Sequence, residues 1–403
     1  MTQIKRTKYL FFLVDEAPVL DIALLLRGEV SLGSQRQLYA ISVLRGREYS
    51  ISLDDLRSLF ALPSAEWVAA DKWDGDPETL SAFVEHGLVV SDDDDPALAE
   101  LRQRDEALSS TQWNIYAALY HFMARWGDVD VRAQLPAAPE DWEELLAQNA
   151  EAIEAQIGQH GAPPSNFHRV AASGRHELPL VPREDGLFGV LAKRRTTRAF
   201  RADVPLAREH LAQILYSVFG CQGYLPVFGD VWALKKTSPS GGSLHPTEVY
   251  PLVLNVDGVP AGVHHYNIES HALDLLIPLE AERARELATE LTAGQSFARD
   301  AQALFLMTSR FYRSFWKYRK QPRAYSVLLM DVGHLSQTFY LVCAELGLGA
   351  FVTAAINSEN IERTLGVNGF LEGAMAICGC GAPAETNLRD PRFRPYVPRK
   401  PPR

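Results

Sequence analysis

One stretch restricts this chain more than any other: Thr237-Ser238-Pro239-Ser240-Gly241-Gly242-Ser243-Leu244-His245-Pro246-Thr247-Glu248-Val249-Tyr250. Glycine permits positive φ and close approach to the backbone, while each proline fixes its own φ and pushes its predecessor towards extended geometry. The segment then runs into the apolar residues Tyr250 to Val256. It reads as a rigid loop presenting backbone N–H groups at the start of a strand. Two uses fit: a polar connection between elements, which composition alone favours, and a cradle for a planar or anionic cofactor.

The rest of the chain decides between them. At 403 residues it is long enough for two domains, and its net charge of −10 argues against general nucleic-acid binding, which needs an excess of Lys and Arg. No stretch approaches the roughly 20 uninterrupted apolar residues of a membrane span. Asp15 and Glu16 cut short the apolar run Tyr9 to Val14, so it reads as a strand rather than a signal peptide, and the expectation is a cytoplasmic protein. Cys221, Cys343, Cys378 and Cys380 lack zinc-ligand or C-x-x-C spacing, so no metal is expected.

Read in order, residues 1–95 form a small winged-helix-like α+β unit. Strands are expected at Tyr9 to Val14, Leu38 to Leu44 and Tyr49 to Ser52, then a helix from Leu53 with Ser52 as N-cap, and a second helix from Pro77 to His86 stopped by Gly87. The second helix offers Glu78, Glu85 and His86 where a DNA reader would carry cations, which leaves a groove or strand edge for an extended peptide, or simple packing. Residues 96–183 read as a helical connector and linker. His121 falls in an aromatic stripe and reads as a core histidine. From residue 184 to 403 strands and helices alternate. Neither a G-x-G-x-x-G nor a P-loop pattern follows a strand.

Three fragments of this last region, taken together, resemble the flavin-dependent nitroreductase superfamily. They are Arg194-Arg195-Thr196-Thr197-Arg198-Ala199-Phe200, Pro239 to Pro246 with Glu248 and Tyr250, and Trp316-Lys317-Tyr318. Within the superfamily they are most similar to the SagB-type thiazole/oxazole dehydrogenases that mature ribosomally made peptides. The resemblance implies an α+β, nitroreductase-like FMN-binding fold, a mixed central sheet flanked by helices, with the cofactor at a homodimer interface. It implies that Arg194, Arg195, Thr196 and Arg198 meet the phosphate and the polar ring edge of FMN. Charge-assisted donors and planar guanidinium forks suit that task. Pro239, Ser240, Gly241 and Ser243 would reach the flavin from the partner subunit, and Ala354 and Ala355 would bring backbone N–H groups near it. Arg389, Arg392 and Arg394 are further phosphate candidates.

By the same resemblance Lys317 and Tyr318 are the catalytic pair. Desaturation removes a hydride and a proton, and the proton needs a base. Lys and Tyr are both protonated at neutral pH when unperturbed, so burial or neighbouring cations must activate them, and Arg313, Arg319, Lys320 and Arg323 are close in sequence. The implied partners are a modified precursor peptide and a cyclodehydratase. Two other readings stay open: an NAD(P)H-dependent reductase of dehydroamino acids or small electrophiles, and a peptide-binding scaffold without catalysis.

Overall fold

A computed structural model describes residues 2–20, 32–131 and 142–384, except 168, 169, 172, 180, 182 and 230. In chain order the N-terminal region contains β1 (Gln3–Arg6), β2 (Leu10–Leu20), β3 (Leu32–Ser42), β4 (Arg47–Ile51), α1 (Leu53–Ala61), β5 (Val68–Ala69), α2 (Pro77–Glu85) and β6 (Val89–Ser91). Strand β1 lies between β5 and β6, and β2, β3 and β4 form an antiparallel meander. Helix α1 starts where its sequence says: the Ser52 side chain accepts from Asp55 N–H while the Asp55 carboxylate takes the Ser52 N–H, a complete capping box. Helix α2 begins at Pro77 and is closed by Gly87 at φ 66°.

The helical connector begins with α3 (Pro96–Ser110) and α4 (Ile115–Met123), with Gln112 at φ 62° between them. Helix α5 (Trp142–His160) follows. Then come α6 (Gly186–Lys193), α7 (Arg208–Ile214) with a π-turn at Leu215–Phe219, and the hairpin β7 (Gly223–Phe228) and β8 (Val231–Lys235). The hairpin gives no alternating pattern in sequence, because both its faces are exposed.

The last region continues with β9 (Thr247–Val253), β10 (Gly262–Asn267), β11 (Ala272–Pro278), α8 (Ala281–Leu291), β12 (Ala303–Arg310), α9 (Phe311–Tyr318), α10 (Ala324–Glu345), β13 (Gly349–Thr353), α11 (Ser358–Leu365) and β14 (Glu372–Gly381). Six strands form one sheet in the order β11-β10-β9-β12-β14-β13. All its pairings are antiparallel, so the mixed sheet expected from the sequence is corrected to an antiparallel one; among the described residues a parallel contact occurs only at the isolated bridge between Leu206 and Val256. Strand β12 is central, and seven of its eight residues are buried.

One face of the sheet packs on α7, the π-turn and α10 through Phe219, Phe305, Met307 and Phe339; the other packs on α8 and α11 through Leu287, Leu291 and Ile361. Helix α10 is, among the described residues, the one helix long and apolar enough to cross a membrane by length and composition. Its burial against the sheet through Val332, Leu335, Phe339 and Cys343 accounts for that hydropathy within the fold.

A third buried cluster joins the two halves. Trp113, fully buried, stacks among His121, Phe122, Phe311, Phe315 and Tyr325, and its Nε1–H donates to Phe370 O at 3.0 Å. Helices α3 and α4 therefore form a platform under α9 and the start of α10. His121 is the core histidine its stripe implied: Nδ1 lies 2.8 Å from the Tyr325 hydroxyl, and burial pushes the ring pKa down to about 3.

Candidate functional site

The opening loop is pinned from beneath by α10. Asp331 accepts from Ser240 Oγ at 2.6 Å and from Gly241 N–H at 3.2 Å, and Ser240 Oγ in turn accepts from His245 N–H at 3.0 Å. About one helical turn on, His334 Nδ1 lies 3.3 Å from Pro239 O, and about two turns on, Ser238 Oγ meets Thr338 Oγ1 at 2.7 Å. Burial raises the Asp331 pKa, with the Ser240 and Gly241 donors opposing the shift. Asp331 was not among the residues expected at the site. A signal was present, however: it lies on the stripe Leu328, Val332 and Leu335, where every other side chain is apolar and buried.

The loop turns through Gly241–Ser243, with Gly242 at φ 65° and Ser243 at φ 59°. Gly242 has no room for a side chain. A Cβ there would lie 2.7 Å from Tyr318 Oη and 2.8 Å from Lys317 Nζ. The two polar ends thus converge on the crown of the Ser/Gly loop within one chain, across some seventy residues of sequence. Lys317 and Tyr318 sit at the C-terminus of α9, not in a free basic loop, and the helix ends at Arg319 with φ 46°. Phe311 and Phe315 anchor α9 on Trp113, and Asn114 Nδ2–H donates to Lys320 O at 2.9 Å, which holds the turn after the pair. Lys317 is exposed and Tyr318 half-buried. Arg313 is taken up by the loop: its Nε–H donates to Leu244 O.

The Arg194 to Phe200 segment forms a separate constellation. It follows α6 and runs beside the far part of α10: the Arg194 guanidinium lies 5.3 Å from the Tyr340 ring centroid, and Thr196 Oγ1 is 3.0 Å from Tyr340 Oη. Tyr340 Oη also accepts from Val352 N–H. Arg198 lies 5.9 Å from the Phe297 ring, and neither Arg194 nor Arg198 reaches a carboxylate among the described residues. Thr197 is fully buried, and its Oγ1 finds no hydrogen-bond partner among the described residues. Of the two alanines, Ala354 is exposed, whereas Ala355 N–H already donates to Thr353 Oγ1 at 3.1 Å. Asp331 and Tyr340 are nine residues apart, about 13 Å along a helix. Helix α10 therefore holds the loop and the Arg segment at separate points along its length. Arg389, Arg392 and Arg394 lie outside the described residues.

Beneath the loop is a charged layer that sequence reading did not assemble. Glu248 pairs with Arg310 at 3.1 Å and with His265 at 3.4 Å; burial pushes its pKa up, but these donors bring it below the usual value. His245 Nε2 is 3.0 Å from Leu234 O, and burial beside Lys236 lowers the ring pKa to about 4. Burial likewise lowers the pKa of Lys236. Lys236, Ser238, Ser240, His245, Thr247 and Asp331 line a small cavity, with room on the order of one water molecule.

The chain matches the Nitroreductase family over residues 191–381. It is 30% identical over 312 residues to the trifolitoxin-processing protein TfxB of Rhizobium leguminosarum bv. trifolii, covering 75% of this chain and 80% of that one. It is 29% identical over 144 residues to the microcin B17-processing protein McbC of Escherichia coli, covering 34% of this chain and 51% of McbC. Among solved structures, a chain of the E. coli microcin synthetase McbBCD complex, with truncated pro-MccB17 bound, aligns with a TM-score of 0.47 at 19% identity, covering 72% of this chain and 99% of that one. The family match spans the sheet, the Ser/Gly loop, α9 and α10, and the TfxB match extends over three quarters of the chain: this protein belongs to the nitroreductase family of oxidoreductases.

Proposed function

We propose that the chain is an FMN-dependent, SagB-type dehydrogenase that matures a ribosomally synthesised peptide by oxidising a thiazoline or oxazoline to the aromatic azole. The observation that carries this reading is the convergence of Lys317 Nζ and Tyr318 Oη on Gly242, which sets two proton-transfer groups against a loop of the cofactor-cradling type. The peptide-processing names of the relatives TfxB and McbC support a peptide substrate.

The residues present fit the cofactor. Arg194 and Arg198 are cations without acidic partners among the described residues, as a dianionic phosphate requires, and at Gly242 the loop presents bare backbone beside Lys317 and Tyr318. Arg194, Arg195, Thr196 and Arg198 would hold the phosphate and polar ring edge. Pro239, Ser240, Gly241 and Ser243 would close on the cofactor from the partner subunit, with Ala354 presenting backbone beside it. The separation of loop and Arg segment along α10 favours this division between two protomers. So do the exposed apolar side chains Leu329 and Met330 on α10 and Leu187, Phe188 and Leu191 on α6.

FMN, when bound, would supply the two-electron acceptor, with dioxygen as the terminal oxidant. The chain's own task is the proton. Azoline desaturation releases one hydrogen as hydride and one as a proton from the ring carbon, and Tyr318 Oη or Lys317 Nζ receives the latter. Asp331 fixes the loop against which the pair is set. The N-terminal region would hold the peptide or dock a cyclodehydratase. The four cysteines are all unpaired, which accords with a reducing cytoplasmic setting.

The test is reconstitution with FMN, followed by azole absorbance from an azoline peptide under air. Lys317→Ala and Tyr318→Phe should keep the yellow flavin spectrum and lose azole formation. Wild-type turnover in both variants, or a protein that takes up no FMN, overturns the reading. Rapid bleaching by NAD(P)H alone would favour a reductase instead.

A further inference from the structure

The segment Arg310 to Arg323 holds six cations, at 310, 313, 317, 319, 320 and 323, and no acid, in a chain whose net charge is −10. Elsewhere the cations of this acid-rich protein commonly find carboxylates: Arg104 with Glu100, Arg283 with Glu290, Arg299 with Glu282. Within the segment Arg310 does so, through Glu248, and Arg313 is taken up by Leu244 O. Lys317, Arg319, Lys320 and Arg323 are exposed and reach no carboxylate among the described residues. Lys317, Arg319 and Arg323 border an open groove that also includes Tyr318 and Val327, and Lys320 sits in the same turn, next to Arg319. The turn carrying them is held in place, with Gln321 N–H on Tyr318 O at 3.1 Å, Ala324 N–H on Gln321 O at 3.0 Å and Asn114 Nδ2–H on Lys320 O. Four like charges fixed in seven residues repel one another and weaken the fold unless something negative meets them.

We propose that this groove is a docking surface for an acidic peptide segment, so that the substrate carries Asp or Glu residues beside the ring that is oxidised. The inference rests on the peptide-dehydrogenase reading and names its substrate class. Charge complementarity selects the occupant: the groove is open, Lys317 and Tyr318 are among its lining residues, and the exposed Trp316 on α9 adds an aromatic contact that an amino-acid chain can use. The remaining charge of the protein repels polyanions as large as nucleic acid but not a short acidic stretch confined within about one Debye length, ~8 Å at physiological salt.

The experiment uses the FMN-loaded full chain and three synthetic azoline peptides that differ only in flanking residues: three Glu, three Gln or three Lys. Binding is read by fluorescence anisotropy, which needs no turnover, and oxidation by azole absorbance. The Glu peptide should bind about 10-fold more tightly than the Gln peptide at 50 mM NaCl and lose most of that margin by 300 mM. Lys320→Glu with Arg323→Glu, both outside the proton-transfer pair, should reverse the preference towards the Lys peptide while flavin absorbance stays unchanged and the melting temperature does not fall. The milder Lys320→Gln with Arg323→Gln should weaken Glu-peptide binding about 3- to 10-fold. Equal affinity for all three peptides, or an unchanged preference in the reversed variant, overturns the proposal. A single-stranded oligonucleotide that displaces the Glu peptide at equal concentration also overturns it. Charge-selective binding without azole formation supports the docking surface and refutes the dehydrogenase reading; oxidation of all three with equal KM does the opposite.

Discussion

Replacing Gly242 by Ala tests whether the Ser/Gly loop and the Lys-Tyr pair act as one site. The residue sits at φ 65° and ψ 18°, where a Cβ costs about 1–2 kcal/mol. The new methyl would stand 2.7 Å from Tyr318 Oη and 2.8 Å from Lys317 Nζ, so each polar end must retreat by about 0.6–0.7 Å to reach ordinary contact at 3.4 Å. Both are the far ends of long side chains, so the fold yields cheaply and the loss of stability stays near the backbone cost. The reaction does not yield as cheaply, because a misplacement of ~1 Å costs about 100-fold, which puts the loss of kcat here at about 10- to 100-fold. The control is Gly258→Ala, at φ 67° with nothing within 4 Å of the added Cβ. It carries a similar backbone cost and displaces no functional group. Anaerobic stopped-flow reduction of the flavin by an azoline peptide, with thermal melting of both variants, separates the two effects. Wild-type reduction in Gly242→Ala, or an equal loss in Gly258→Ala, refutes the reasoning.

Other consequences follow from the same geometry. Asp331→Ala leaves the Ser240 hydroxyl and Gly241 N–H without their acceptor, at a cost of about 1–3 kcal/mol, and should weaken FMN retention in dialysis several-fold; Asp331→Asn, which keeps one acceptor oxygen, should retain part of it. Trp113→Ala removes the hub between α4 and α9 and should cost about 3–5 kcal/mol by denaturant unfolding, with faster proteolysis near Lys317 at sub-denaturing urea. His121, whose folded pKa lies far below its ordinary 6.5, stays neutral when the unfolded chain takes up a proton. Its contribution is complete above pH 6.5 and lost as pH falls from there towards 3, at about 1.4 kcal/mol per pH unit. His121→Gln should show a shallower fall of melting temperature with acid across that window; a slope equal to wild type rejects the assignment.

Much of the fold was legible in the sequence. Ser52 capped the helix beginning at Leu53, and Gly87 at positive φ ended the helix beginning at Pro77, both as the sequence implies. These signals are local, and local propensity with periodicity is enough to carry them. The β7–β8 hairpin escaped because neither of its faces is buried, and the expected mixed sheet proved antiparallel because pairing partners are chosen by tertiary contacts rather than by the strands themselves.

The same division holds at the site. The sequence by itself determined the residue types: three arginines around two threonines, a hydroxyl and glycine loop, a lysine beside a tyrosine. Only the tertiary structure decided which of these meet. Lys317 and Tyr318 come to Gly242 because α9 rests on Trp113, some two hundred residues earlier, while Asp331 draws Ser240 and Gly241 onto α10 from the other side. The Arg194 segment stays apart from them, fixed at Tyr340. Side-chain chemistry is written residue by residue, whereas distance between residues far apart in sequence is set by the packing of cores that no single segment specifies.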